Sequence, residues 1–367
     1  MMPTQAKALK ADYLRSLTDD TGIFQHTKFG VPDRGRGYTS DDNGRALIAA
    51  ALLHRNHPGE GWLGLAGTYL SFIHHAQNED GSFRNFMDYN RSFVEPVGSE
   101  DCLGRCVWAL GFALSEPTLP DNLHNTCRFM IDRALPRIAE LRSPRALAYA
   151  LVGLAYMLET KDSLRYAFPY AADDKREVAV SFLPHRKIRE LVEQIADRLL
   201  AQYEQYATAD WHWFEDSITY GNAMLPWALL KAARLSGRAD LRHTAQTSLA
   251  FLTSHTFAKE GYFKSVGSEG WLVRGERAAP YDEQPIEACE TLLAMYEAHD
   301  MFGTPSYLDH ASLCLDWFHG RNSANLSMID PQTGGCYDGI HASGLNLNQG
   351  SENIVSYCIA HSVIHHA

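Results

Sequence analysis

The sequence of 367 residues is short of positive charge. Its 33 lysines and arginines face 44 aspartates and glutamates, for a formal net charge of −11. That argues against nucleic acid as a partner, because such binding rests on Lys and Arg at the phosphates. It leaves small anionic ligands open. No apolar run approaches the ~20 residues needed to span a bilayer. The first residues, MMPTQAKALKADYLRSL, lack the unbroken apolar core of a secretory signal. A membrane is therefore not expected as a partner. Cysteine is sparse and odd in number: Cys102, Cys106, Cys127, Cys289, Cys314, Cys336 and Cys358. Scattered thiols inside apolar stretches predict buried, reduced side chains in a cytoplasmic protein rather than a disulfide framework. Cys102 and Cys106 lie one helical turn apart, with no second Cys or His pair at matching spacing to complete a zinc site. There is no His-Glu-x-x-His helix and no glycine-rich phosphate loop between a strand and a helix. DPQTGGCYDG, at Asp330, lacks the spaced acids and closing Glu of a calcium loop. Neither metal nor cofactor is expected.

Helical periodicity is present nearly everywhere, and 45% of residues are hydrophobic, enough for a substantial core. The helices come in two kinds. Six segments are apolar around most of their circumference and open with a polar or acidic cluster. They are SDDNGRALIAAALL from Ser40, SEDCLGRCVWALGFAL from Ser99 and SPRALAYALVGLAYML from Ser143. FEDSITYGNAMLPWALL from Phe214, YDEQPIEACETLLAMY from Tyr281 and SENIVSYCIAHSVIHH from Ser351 complete the set. Before each comes an amphipathic helix: Ala6–Leu17, Leu63–Gln77, Asn122–Leu141, Arg186–Tyr206, Ala239–Ser254 and Ser306–Gly320. A helix apolar on most sides must be buried on most sides. Six of them, each with an amphipathic partner, predict an all-α fold: one (α/α)6 toroid of six helical hairpins over residues 1–367. The long loops before the apolar helices pair glycine with aromatics, which predicts short β-turns or hairpins over one face. The irregular stretch Lys161–His185 is expected to hold surface extension or strand.

In such a ring the inner helices start on one face, and their free N–H groups and dipoles converge there. Four of the six open with an acidic pair: Asp41–Asp42, Glu100–Asp101, Glu215–Asp216 and Asp282–Glu283; a fifth opens with Glu352. One acid of each pair can cap while the other points inward. Asp41 is expected as the cap of the first helix and Asp42 as the working carboxylate. The candidate catalytic set is Asp42, Asp101, Asp216, Asp282, Glu283 and Glu352. Loop aromatics would offer flat faces to a sugar: Tyr38, Phe83, Tyr89, Trp211, Trp213, Tyr262, Trp271, Tyr281 and Tyr337. Arg45, Arg84 and His341 would add polar contacts. Arginine beyond what neutralises these acids would admit a uronate or phosphate on the ligand.

These motifs carry a resemblance. SDDNGRAL, EDGSF and DPQTGG are similar to segments of the six-hairpin glycosidase superfamily, along essentially the whole chain. YDEQPIEACETL and QGSENIVSYCIAH resemble a bacterial group of glycosidase-like proteins encoded beside, or fused to, glycosyltransferases. The resemblance implies a sugar ligand more firmly than one reaction, and it implies a glycosyltransferase as a partner.

Hydrolysis with inversion needs two carboxyls ~6.5–9.5 Å apart with water between them. Opposite members of a six-helix ring stand about 16–20 Å apart, so acids reaching inward leave such a gap. Opposition would pair Asp42 with Asp216 and Asp101 with Asp282. An inverting glycoside hydrolase is the expectation. Two alternatives stay open: a sugar 2-epimerase working through cavity histidines, with His212 and His341 as candidates, and a non-catalytic carbohydrate-binding partner of a glycosyltransferase.

Overall fold

The computed structural model describes residues 9–160, 166–168, 178–180 and 184–364. Among them are twelve helices: α1 (Asp12–Ser16), α2 (Ser40–Asn56), α3 (Trp62–Ala76), α4 (Glu100–Ser115), α5 (Asp121–Glu140) and α6 (Pro144–Leu158), then α7 (His185–Tyr206), α8 (Met224–Ser236), α9 (Ala239–Thr256), α10 (Pro285–Phe302), α11 (Ser306–Phe318) and α12 (Ser351–Ile364). The even-numbered helices form the inner wall. Each packs on the next, from α2 through α4, α6, α8 and α10 to α12, and α12 returns to α2. The ring is closed. Its inner helices are buried on nearly all sides, as their composition predicts; in α6, thirteen of fifteen residues are buried.

The odd-numbered helices form the outer wall. Each of α3, α5, α7, α9 and α11 packs against the inner helix that precedes it in sequence. The tight antiparallel pairs are thus offset by one helix from the pairing expected above. The connections explain this. Two residues join α8 to α9 and three join α10 to α11, so those helices must fold back on each other. Gly237 and Gly303, both at positive φ, end the inner helices there. The loops from outer to inner helices are longer and gather over the inner N-termini. They carry short antiparallel pairings: Thr27–Lys28 with Val31–Pro32, Tyr38–Thr39 with Phe86–Met87, Ser217–Ile218 with Leu272–Val273, and Gly339–His341 with Gly344–Asn346. In the irregular stretch, Tyr166–Phe168 pairs with Val178–Val180; residues 161–165, 169–177 and 181–183 lie outside the described residues, as do Ala6, Lys7 and Ala8 of the first amphipathic segment.

Two inner helices start later than expected. The stretch Phe214–Ala223 is not helical, because Ile218–Thr219–Tyr220 favours extension and Gly221 turns the chain at φ 55°. Likewise α10 starts at Pro285, with Glu283 bridged to Ile340 before it. All seven cysteines are free and buried. No helix of the described residues is long and apolar enough to cross a membrane.

The closest approach in the ring is α4 on α6. A side chain on Gly111 would collide with the backbone of Gly153, and one on Gly153 with the backbone of Val107. Only glycine lets these backbones meet. Gly153→Val should therefore cost about 1–3 kcal/mol or more through overpacking. Urea unfolding measures it; an unchanged midpoint would mean the two helices do not touch at this level.

Candidate active site

The first inner helix explains its own acidic start. The cap of α2 is Thr39, not Asp41. Its hydroxyl accepts from the Asp42 N–H at 3.1 Å and donates to Asp42 Oδ2 at 2.7 Å, so the cap and the carboxylate hold each other. Asp42 is buried, and its other oxygen meets Arg45 Nη2 at 2.9 Å. Arg45 lies one turn further along α2 and reaches Glu352 on α12 at 2.7 Å. Asp41 points to the next stave, where Arg105 of α4 meets it at 3.2 Å.

These groups wall a cavity of about 150 Å³ at the N-terminal mouth. The loops complete it with His26, Asn85, Phe86, Asp338 and Asn348, and α12 adds Asn353. Asp338 accepts from three amides: Asn346 at 2.8 Å, Asn353 at 2.9 Å and Asn348 at 3.2 Å. The Asn348 amide also stands 3.2 Å from His26 Nδ1. Burial still outweighs the amides and holds the Asp338 carboxyl above its ordinary range. Glu352 goes the other way. Burial opposes its ionisation, but Arg45 and Arg105 together overcome it and hold the carboxyl below its ordinary value. Its side chain is 37% exposed, toward the cavity. Asp42 is pushed up by burial, against the pull of Arg45.

Polar contacts continue around the inner wall. Arg105 stands over the Tyr149 ring of α6 at 5.1 Å, and Tyr149 donates to Glu290 of α10 at 2.6 Å. Glu287, one turn earlier, accepts from the Gly221 N–H at 2.5 Å and the Asn222 amide at 2.9 Å. Arg145 of α6 binds Glu215 at 2.7 Å and Thr219 at 2.6 Å. Burial, with the neighbouring Glu287, raises the Glu290 carboxyl to about 8.

The candidates named from the sequence fall into four groups. Asp42, Glu352 and Arg45 wall the cavity. Asp101 heads α4 but is taken up by the Tyr220 hydroxyl at 2.7 Å and the Ser143 hydroxyl at 3.2 Å. Asp282 and His341 form a separate loop cluster: Asp282 sits at φ 63°, its carboxylate 3.1 Å from His341 Nε2, with Glu269 3.3 Å from His341 Nδ1.

The remaining candidates lie away from the cavity. Asp216 is 68% exposed and paired with Arg274, because its segment leaves the ring as a strand; it does not face Asp42. Glu283 is fully buried and turned outward to Trp317 of α11, at 2.9 Å. The aromatics mostly pin loops. Tyr38 packs with Phe24, Phe72 and Met87, and Phe83 and Trp213 belong to the main core. Trp211 is buried under Arg274, and its indole donates to the Glu215 carbonyl at 2.8 Å. Arg84 holds the carbonyls of His75 and Ala76. Tyr89 and Tyr281 are exposed, while Tyr262, Trp271 and Tyr337 are half-buried outside the cavity wall. His212 lies among Tyr203 and Phe251 on the outer wall.

Sequence reasoning missed His26, Asp338, Asn348 and Asn353, which lie in loops or carry no carboxylate signal. Glu287 and Glu290 were legible, as two acids three apart on an otherwise apolar inner helix. A larger cavity, about 390 Å³, opens at the opposite mouth among Trp108, Tyr156 and Trp227. Its charges are already paired: Lys231 meets Glu159 at 2.9 Å and Glu297 at 3.1 Å. The smaller cavity, with carboxyls shifted in opposite directions, is the candidate active site.

No protein-family profile matches the chain, and no curated protein does. Solved structures do. A sugar epimerase from a ruminal bacterium superposes with TM-score 0.69 at 12% identity, covering 96% of this chain and 95% of that one. The α-mannanase of Bacteroides thetaiotaomicron gives 0.65 at 9%, covering 96% and 92%. A cellulase of C. cellulolyticum gives 0.56 at 12%, covering 94% and 87%. The chain has the six-hairpin toroid fold. At these identities the likeness is one of fold, and the chemistry has to be argued from the cavity.

Glu290 gives a direct test of the wall's electrostatics. The native state holds its proton up to about pH 8, whereas the unfolded chain releases it near 4.5. Between those values the unfolded state binds fewer protons, so stability falls as pH rises, by at most about 1.4 kcal/mol per unit. Above about pH 8 that loss stops. Glu290→Gln keeps an acceptor for Tyr149 and should lack this slope. Unfolding midpoints of the two proteins from pH 5 to 9 check it; parallel profiles would mean Glu290 is ionised in the native state.

Proposed function

We propose that the protein is a carbohydrate-active enzyme, a glycoside hydrolase that inverts the anomeric centre, with Asp338 as acid and Glu352 as base. One observation carries this reading: two carboxyls on one cavity are pushed in opposite directions, Asp338 up by burial and Glu352 down by Arg45 and Arg105. Such a split is how a site keeps one carboxyl protonated and another ionised. In the step, Asp338 gives its proton to the glycosidic oxygen, which leaves as an alcohol. Glu352 takes a proton from the water that attacks the anomeric carbon on the opposite face. Arg45 keeps Glu352 ionised until then. Asn85, Asn348 and Asn353 can each donate and accept, which suits a ring of hydroxyls. The exposed face of Phe86 suits the apolar C–H side of a sugar. The cavity is smaller than the ~300–1,000 Å³ of drug-sized pockets, which suits a single sugar ring. The motifs quoted above support kinship with the glycosyltransferase-linked group, with such an enzyme as partner.

A second reading, sugar 2-epimerisation, is favoured by His26, an imidazole on the same cavity, and by the epimerase among the similar folds. The two readings separate by variant and product. Under hydrolysis, Asp338→Asn and Glu352→Gln each lower turnover by about 10²–10⁴-fold, and His26→Ala costs far less. Under epimerisation, His26→Ala is the severe change. Aryl glycosides and oligosaccharides, with product anomers followed by NMR, give the measurement. A retained anomer, or a C2 epimer without cleavage, would overturn the proposal.

A further inference from the structure

Beside the candidate active site lies a second cleft of about 350 Å³, and the two share His26 and Asn348 in their walls. The second cleft is built from the hairpin Thr27–Pro32 and the 3-10 turn Arg34–Arg36. Its walls hold Lys28 and Arg36, with Asp33 as the one acid. Asp33 is engaged, accepting from the Gly35 N–H at 3.1 Å. Lys28 and Arg36 have no acidic partner among the described residues. Around the mouth, Arg45, Arg91, Arg105, Arg145 and Arg274 face carboxylates, Arg84 is taken up by backbone carbonyls and Arg34 lies against the Phe24 and Tyr89 rings. In a chain of net charge −11, the lining of this cleft sets two cations without ion-pair partners against one carboxylate, a local excess of positive charge.

The cleft is also held in place. Asn348 Oδ1 accepts from the Thr27 N–H at 3.0 Å, the Gln349 N–H donates to Thr27 Oγ1 at 2.8 Å, and the Tyr13 hydroxyl donates to the Gly30 carbonyl at 3.1 Å. The hairpin that carries Lys28 is thereby fixed to the loop that enters α12, whose first turn supplies Glu352. A ligand spanning the two compartments would meet hydroxyl-binding amides and carboxyls in one, and bare cations in the other.

We propose that this cleft holds the anionic group, a phosphate or a carboxylate, of a substrate whose sugar ring occupies the adjoining cavity. The proposal rests on the carbohydrate reading of that cavity. Lys28 would serve as a point charge and Arg36 as a two-pronged donor to two oxygens of the anion.

The test needs no knowledge of the sugar. Inorganic phosphate is titrated into the intact chain at low salt, with the His26 ring, which walls both compartments, followed by NMR; malonate is then added as a competing dicarboxylate. Phosphate should shift the His26 resonances saturably, and the double variant Lys28→Met/Arg36→Met should bind at least about fivefold more weakly. Added salt should weaken the wild type and leave the variant little changed. Malonate displacing phosphate places carboxylate and phosphate in one cleft, and the tighter of the two names the substrate's anion. No saturable shift in the wild type, or equal affinity in the double variant, overturns the proposal. Asp338→Asn, folded and inactive, should keep the phosphate site. A wild type that binds phosphate at His26 yet cleaves no glycoside would overturn the hydrolase reading and leave the anion cleft standing.

Discussion

One buried guanidinium joins the fold to its chemistry. Arg45 belongs to the first inner helix and Glu352 to the last, and their 2.7 Å contact lies where the ring closes. The same guanidinium holds Asp42, so a single cation serves a carboxylate on each side of the seam. Removing either partner would leave a charge in a place where water is scarce, a loss of about 3–5 kcal/mol in comparable sites. An apolar residue there could be as stable, so stability alone is no reason to keep this pair. Its consequence is electrostatic. With Arg105, it favours the ionised form of Glu352 against the opposing effect of burial.

The two mouths of the ring differ for a related reason. All six inner helices run the same way, so one mouth collects helix N-termini and the other collects C-termini. At the C-terminal mouth, Lys231 and Arg234 near the end of α8 meet both the helix ends and the carboxylates Glu159 and Glu297. That larger cavity has its charges balanced in place. At the N-terminal mouth the balance is incomplete: Glu352 stays partly open to the cavity, and Lys28 and Arg36 stand bare beside it. Unbalanced polar groups at a cavity are what a polar ligand would complete. The toroid supports hydrolases and epimerases alike because it supplies the converging helix ends, while the loops decide which groups stand over them.

Much of the architecture could be read directly from residue patterns. Apolar stretches such as ALIAAALL after Arg45 and ALAYALVGLAYML after Arg145 admit burial on all sides, and amphipathic partners admit one outer wall. That gives two layers; closure into a ring, rather than an open stack of helix pairs, is shown by α12 packing on α2. The site was less legible. Asp42, Arg45 and Glu352 could be named because they sit at helix starts, where position along the chain predicts position in space. Asp216 and Glu283 were misplaced by the same logic: their segments end in short strand pairings, Ser217–Ile218 with Leu272–Val273 and Glu283 with Ile340, before the helices begin. Those pairings join residues more than fifty apart, and a local pattern carries no trace of them.

Asp338 and His26 show the limit most clearly. Each sits in a loop that reads only as a turn; His26 meets Asn348 from the far end of the chain, and Asp338 is brought onto the same cavity as the Glu352 that Arg45 holds. Helix type, layer and ring follow from periodicity, because burial acts on every third or fourth residue and leaves its mark along the chain. Which carboxyl holds a proton depends on the dielectric and the charges around it. Those are properties of the space the closed ring creates, so only the tertiary structure decided them.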